Sequence, residues 1–255
     1  MQITGRAKTS IYQHIRNIPL SAARMGRYRQ VSGQHIRKFA LARKGKSTKP
    51  FRTFNAWTPQ KVLLVGHLIF DGEILRARCV YNNRSKALLA RVRKLMMDIY
   101  DYEPARYVNP VTGVTRIMYY NVELSNYLHG KAGVLLKDVG NMPIEMKREF
   151  LRAFFDDEGC MDFLLRSGKR RIRGYQKDTK ILKLVSKLLA DIGIESRVVR
   201  PNEVMIVGKE NLLRFKREIN FSSGVCINGA RSNSRWKKNL EKRVLLKQAI
   251  ESFKR

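Results

Sequence analysis

Along residues 55–220 the apolar positions switch between two spacings, and the same order of switches occurs twice. "WTPQKVLLVGHLIFDGE" is apolar almost throughout. Thr58 stands as a helix N-cap, Pro59 at the first helical position, and Asp71-Gly72 where the chain leaves the helix. "GEILRARCVYN" predicts a short hairpin. "SKALLARVRKLMMDI" places Leu88, Val92, Leu95 and Ile99 on one face of a helix. "EPARYVNPVTGVTRIMYYNVEL" predicts strand, turn, strand, and a short helix around "SNYLHGKAG" follows. The order then returns. "MPIEMKREFLRAFFDDEGC" reads as a helix ending in acids and glycine, and "CMDFLLRSGKRRIRGYQ" as a longer hairpin. "DTKILKLVSKLLADIG" is amphipathic through Ile181, Leu182, Val185, Leu188 and Ile192. "IESRVVRPNEVMIVG" and "KENLLRFKREI" complete strand–turn–strand and helix. Four regions result: a basic extension and linker over 1–54, repeats over 55–142 and 143–221, and a basic loop with a terminal helix over 222–255.

The two helix ends pose an electrostatic problem. Asp71 and Glu158, 87 positions apart, put carboxylates at the negative end of a helix dipole, which costs roughly 0.3–1 kcal/mol each. Two such ends side by side are worse. A hard divalent cation, which takes carboxylate, water and phosphate oxygens, resolves both problems. Gly66 and Ala153, one in each helix, are small enough to let the helix backbones approach and bring the acids together. The four histidines, His14, His35, His67 and His129, have no metal-binding spacing; His67 is expected to pack or bond within the helix pair.

Charge names the class of partner. Lysine and arginine number 52 against 21 acids, a formal net charge of +31 spread along the chain, so whole faces are positive. A polyanion is the expected partner, nucleic acid first, with a ribosomal-type RNA or an anionic membrane surface as alternatives. Arg76, Arg78, Arg116, Arg166, Lys169, Arg171, Arg173, Arg197 and Arg200 alternate with apolar residues in the predicted strands, which places them on one open sheet face suited to DNA. An apolar content of 44% argues against disorder. Cys79, Cys160 and Cys226 lack CxxC spacing and read as reduced thiols. The N-terminus lacks a signal peptide and "VLLVGHLIF" is too short to span a membrane, so an intracellular protein is expected.

"LVGHLIFDG" (64–72) and "LRAFFDDEG" (151–159) resemble the two motifs of a single-chain LAGLIDADG homing endonuclease. The second is the closer match; His67 and Ile69 depart from the commonest residues in the first. The order of elements over about 55–220 also resembles that family, as does "VMIVGKENLLRF", a strand and helix closing a repeat. The resemblance implies an α+β fold: a pseudo-twofold pair of αββαββα repeats, motif helices crossing at the axis, and a saddle of two antiparallel sheets on the DNA major groove. It implies Asp71 and Glu158 as catalytic metal ligands for Mg²⁺ or Mn²⁺. Asp156 and Asp157 do not match the ligand positions and, with Asp162, are expected to be plain polar or water-bridging positions. Lys131, Lys137, Lys209 and Lys237 are the candidate basic residues of the cleft. The implied function is a metal-dependent double-strand cut at a long non-palindromic site in double-stranded DNA, by a monomer. The alternative is a non-cleaving DNA- or RNA-binding relative, a regulator or an intron maturase with intron RNA as partner. A structural ribonucleoprotein component is a further alternative. Intein splicing signals are absent, which predicts a freestanding protein. "AKTSIYQHIRNIPLS" (7–21) resembles the recognition helix of a helix-turn-helix without the helices that precede it.

Overall fold

A computed structural model describes residues 50–75, 78–164, 167–199, 202–229 and 238–254. The extension with its helix-turn-helix-like stretch lies outside them, as do Arg76, Arg166, Arg200 and Lys237. Phe51–Arg255 is one compact unit.

The first repeat opens with α1 (Pro59–Phe70). Thr58 caps it by accepting the Lys61 amide, and Pro59 occupies the first turn. Val62, Leu64, Val65, Gly66, His67, Leu68 and Phe70 are buried, which accounts for nearly the whole circumference and marks a central helix. Strands β1 (Gly72–Leu75) and β2 (Arg78–Asn83) follow, then α2 (Lys86–Tyr100). α2 buries Leu88, Leu89, Val92, Leu95, Met96 and Tyr100, while Ile99 is only partly covered. Strands β3 (Ala105–Val108) and β4 (Thr115–Tyr119) lead to α3 (Val122–Asp138). α3 runs 17 residues, well beyond the short helix expected. Its apolar stripe Leu124–Leu128–Ala132–Leu135 continues past Gly130 and Gly133, which lie on the open side where glycine does not stop a helix held by packing.

The second repeat has the same order: α4 (Ile144–Asp157), β5 (Gly159–Leu164), β6 (Lys169–Tyr175), α5 (Thr179–Asp191), β7 (Arg197–Val199), β8 (Glu203–Val207) and α6 (Lys209–Glu218). An appended helix, α7 (Lys242–Glu251), and a 3₁₀ turn at Ser252–Lys254 end the described chain. Each repeat is thus αββαββα, with a four-stranded antiparallel sheet, β1-β2-β4-β3 or β5-β6-β8-β7. No helix among the described residues is long and apolar enough to cross a membrane.

Strand register gives the equivalences between repeats. Gly72 pairs with Tyr81, and Gly159 pairs with Gly174, so the first hairpin is six residues longer in repeat two. Arg106 pairs with Ile117 and Val198 with Val204, so the second hairpin is five residues longer in repeat one. α1 and α4 pack directly on each other. Phe70 meets Phe150 and Phe154 of α4 edge to face, with centroids 5.3 and 5.1 Å apart. Each such aromatic pair contributes about 0.5–1.5 kcal/mol beyond area burial.

Candidate functional site

The site lies where α1 and α4 end together. An ideal Cβ on Gly66 would sit 2.7 Å from the Ala153 Cβ, so the two helices touch at their small residues. Beyond that contact the chain leaves both helices with the same geometry. Asp71 (φ −99°, ψ 8°) and Glu158 (φ −101°, ψ −6°) are the C-caps, and their amides donate to the His67 and Phe154 carbonyl oxygens. The next residue must be glycine in both: a Cβ on Gly72 would collide with the Leu68 carbonyl oxygen, and one on Gly159 with that of Phe155. The Asn82 amide donates to the Asp71 carbonyl oxygen and the Tyr175 amide to that of Glu158, tying each helix end to the second strand of its repeat.

Both carboxyls are half-buried and electrostatically stressed. Burial pushes Asp71 up to about 8, with Asp157 and Glu158 adding to the rise; Lys242 and a hydrogen bond from Asn83 oppose it. That bond runs from Asn83 Nδ2 to Asp71 Oδ2 at 2.6 Å. Burial likewise pushes Glu158 up to about 7, with Asp157 adding and Lys242 opposing.

Asp157 is not the plain polar position expected. Its side chain is fully buried, Oδ2 2.8 Å from His67 Nδ1, and Oδ1 accepts the Tyr81 hydroxyl at 2.6 Å. His67, also fully buried, therefore bonds across the helix pair, and its Nε2 has no partner among the described residues. Burial, then the Asp157 charge, holds the Tyr81 hydroxyl well above its ordinary value. Asp156 is buried too, accepting the Ser222 amide at 2.8 Å and Arg91 Nη1 at 3.2 Å. Asp162 stays on the open sheet face as an ion-pair partner.

Three of the four expected cleft lysines are elsewhere, and the fourth, Lys237, lies outside the described residues. Lys131 Nζ lies over the Phe54, Trp57 and Tyr127 rings, beside the start of α1. Twelve residues at 1.5 Å each put it about 18 Å along that helix from Asp71. Lys137 is exposed in the last turn of α3, which leads into the start of α4, the end opposite Glu158. Lys209 follows the far end of β8 from Val204, the residue paired with Gly174 beside the site. Among the described residues, the lysine that does reach the acids is Lys242, at the start of α7. Its buried Nζ donates to the Asp156 carbonyl oxygen at 2.7 Å and the Phe155 carbonyl oxygen at 3.2 Å. Nothing local in "NLEKRVLLKQ" marks this residue; its partners are 86 and 87 positions away.

Register puts the expected DNA-facing cations that lie among the described residues on one face of each sheet, whereas Arg106, paired with Ile117, and Arg170, paired with Phe163, lie on the other. Arg78 and Arg116 share a face with Glu73, Val80 and Asn82, and both are exposed. Lys169, Arg171, Arg173 and Arg197 share a face in the second sheet. There Asp162 accepts Arg171 Nε at 2.9 Å and Arg173 Nε at 2.7 Å, and Glu203 accepts Arg173 Nη1 at 2.5 Å.

Among the described residues, no three histidine, cysteine, aspartate or glutamate groups form a metal cage. The two half-buried carboxylates fit the other arrangement open to a hard cation, one or two carboxylates completed by water and phosphate oxygens.

Comparison with known proteins places this architecture. Residues 145–220 match the LAGLIDADG-like domain family. The N-terminal LAGLIDADG domain of DUF199/WhiA aligns with 16% identity over 67% of this chain and 88% of that one, with a TM-score of 0.50. Full-length DUF199/WhiA from Thermatoga maritima aligns with 16% identity over 68% of this chain and 60% of that one, also at 0.50. I-DmoI, in a crystal structure with DNA and Mn, aligns with 16% identity over 63% of this chain and 96% of its own, at a TM-score of 0.48. No curated protein sequence matches the chain.

Proposed function

From a chain with a LAGLIDADG-like domain at 145–220 and that fold in both repeats, we propose a divalent-metal-dependent endonuclease that cuts both strands of DNA at a long, non-palindromic site. The observation that carries the reading is the pair of acid C-caps, Asp71 and Glu158, delivered side by side by touching helices and raised by burial and by the neighbouring Asp157 charge. Acids so placed are stabilised by a cation, and Asp71 and Glu158 are the residues that would hold Mg²⁺ or Mn²⁺. When bound, such an ion supplies Lewis-acid charge stabilisation and a water activated near neutral pH.

The protein's own contributions are positional. Asn83 orients Asp71 through a single 2.6 Å bond, and Asp157, fixed by His67 and Tyr81, stands beside both acids. Arg78 and Arg116 on one sheet, and Lys169, Arg171, Arg173 and Arg197 on the other, offer cations for phosphate contact and base-edge reading in the major groove. Arg76, Arg166 and Arg200 belong to the same proposed surface by sequence. A formal net charge of +31 makes that binding strong and salt-dependent. The unit works as a monomer because one chain supplies both halves.

One observation favours a second reading, a DNA- or RNA-binding relative without cleavage, such as a regulator or an intron maturase. The Lys242 amine already stands beside the acids, its Nζ bonded to the carbonyl oxygens of Phe155 and Asp156. Plasmid carrying the gene's own insertion site, incubated with Mg²⁺ and with EDTA, separates the two. Linear product only with Mg²⁺, lost in Asp71→Asn/Glu158→Gln while DNA binding persists, supports the nuclease. Binding without cleavage at any metal concentration establishes the second reading, and full activity in the double variant removes these acids from the mechanism.

A further inference from the structure

A lysine in the interior must find partners that offset its lost hydration, and where it finds them says what it does. Lys242 is the first residue of α7, a helix outside the two αββαββα repeats. α7 is anchored by Leu245, Leu246, Ala249 and Ile250 in the core, and its far end is tied down where Arg170 Nε donates to Ser252 Oγ at 2.6 Å. Its near end is fixed by the Lys242 amide donating to the Val225 carbonyl oxygen at 2.8 Å. The side chain is therefore delivered to one place: the negative end of α4, against the carbonyl oxygens of residues 155 and 156.

Three aspartates stand around it. Burial lowers the Lys242 pKa, while Asp156, Cys160, Asp157 and Asp71 all favour its charged form. On the α7 side, Glu241 turns away to accept the Gly224 amide, and the Phe221 ring lies 5.5 Å from Nζ. Arg91 approaches Asp156 from α2.

We propose that Lys242 is the built-in cation of this acid cluster. It holds the end of α4 and offsets the charge of Asp71, Asp157 and Glu158 in the protein before any metal is bound, so the appended helix is part of the site. Lys242 is a positioning residue: its ammonium is buried against α4 and touches no substrate. The inference rests on the assignment of Asp71 and Glu158 as the paired acids, and its test does not require cleavage.

The test is a double-mutant cycle on thermal stability in EDTA at about pH 8.5, above the values of about 8 and 7 at which Asp71 and Glu158 lose their protons. Lys242→Met should lower the melting temperature by about 6–15 °C, as removing one partner from a buried charged cluster does. Adding Asp71→Asn and Glu158→Gln to Lys242→Met should recover at least about half of that loss, because the charge left without a counterion is then gone. A lysine that only caps carbonyl oxygens would instead give additive effects, and additivity overturns the proposal. If Lys242→Met does not fold, the triple variant must fold; a triple variant that also fails overturns it. Mn²⁺ added to Lys242→Met gives a separate result: coupling without any Mn²⁺ stabilisation supports the role of Lys242 while removing Asp71 and Glu158 as metal ligands.

Discussion

The two motif-helix ends share a backbone and differ in what fills it. In repeat one the helix supplies His67, whose ring faces Tyr81 on β2 with centroids 5.9 Å apart. The equivalent positions in repeat two are Phe154 and Gly174, and a Cβ on Gly174 would run into the Phe154 ring. Bulk that repeat one places on its strand, repeat two places on its helix. The third member of the set is exchanged as well. Asp157 occupies the position of Phe70, and its carboxylate crosses to His67 and Tyr81. Symmetry is thus a property of the chain path, while the surroundings of the two acids are unequal. Asp71 is bonded by Asn83. Its counterpart Gln176 turns instead to the Asp178 amide, and the Glu158 carboxylate accepts no hydrogen bond among the described residues.

The most severe way to break this comparison is to remove the residue that makes it unequal. Asp157→Ala leaves His67 and Tyr81 buried without their acceptor and should destabilise by about 3–5 kcal/mol in urea unfolding. A loss under about 1 kcal/mol would show that the cluster is incidental. Next come the acids taken singly. Under the proposed function, Asp71→Asn and Glu158→Gln should slow different strands of the target, each on the order of 10²–10³-fold. End-labelling both strands while following supercoiled plasmid through nicked to linear form reads this out, and equal slowing of both strands by each variant contradicts it. Exchanging the helix contact is gentler. Gly66→Ala adds a methyl 2.7 Å from Ala153 Cβ and should cost about 1–3 kcal/mol. Adding Ala153→Gly should restore most of it, since the methyl has only changed sides; a swapped protein no more stable than Gly66→Ala would place the strain elsewhere.

Acidity sharpens the comparison further. Asp71 and Glu158 bind protons more tightly in the folded protein, near 8 and 7, than at their ordinary values of 3.8 and 4.5. Their contribution to stability is therefore fully present below those ordinary values and is lost as pH rises through about 7 and 8. In EDTA the melting temperature should fall across that window, and Asp71→Asn should flatten the upper part of the fall. The smallest effect lies on the sheets. Arg116 is exposed with no ion-pair partner among the described residues, whereas Arg173 is held by Asp162 and Glu203. Arg116→Ala should reduce the salt slope of DNA binding by about one, and Arg173→Ala by less. Equal changes would show that the ion pairs open on binding.

The repeated fold was legible because its cues are local and doubled: Thr58-Pro59, the two acid-glycine ends, and apolar stripes in the same order. The contact between Gly66 and Ala153 follows from the same phase, since both lie six positions before the terminal glycine. α3 was underestimated because its two glycines look like stops in sequence and cost little on an open helix face. The buried cluster was less legible. Asp157 reads as one acid in a run of three, and only the crossing of α1 and α4 turns it inward. Lys242 sits in an ordinary amphipathic helix, and no spacing rule connects it to carbonyls 86 and 87 residues earlier. Lys131, Lys137 and Lys209 are near the ends of repeats in sequence, and the fold carries those places away from Asp71 and Glu158.

The unequal hairpins carry a consequence for how such a chain can change. Six extra residues in the first hairpin of repeat two leave the Gly159–Gly174 pair in the same relation as Gly72–Tyr81. Strand faces are counted outward from that pair, so lengthening at the tip turns no side chain over near the acids. Repeat one has its extra length in the other hairpin, whose tip exposes Val111. The span covered by each sheet is therefore adjustable at sites remote from the helix ends. A chain built this way can acquire a new footprint while its central machinery stays as it was.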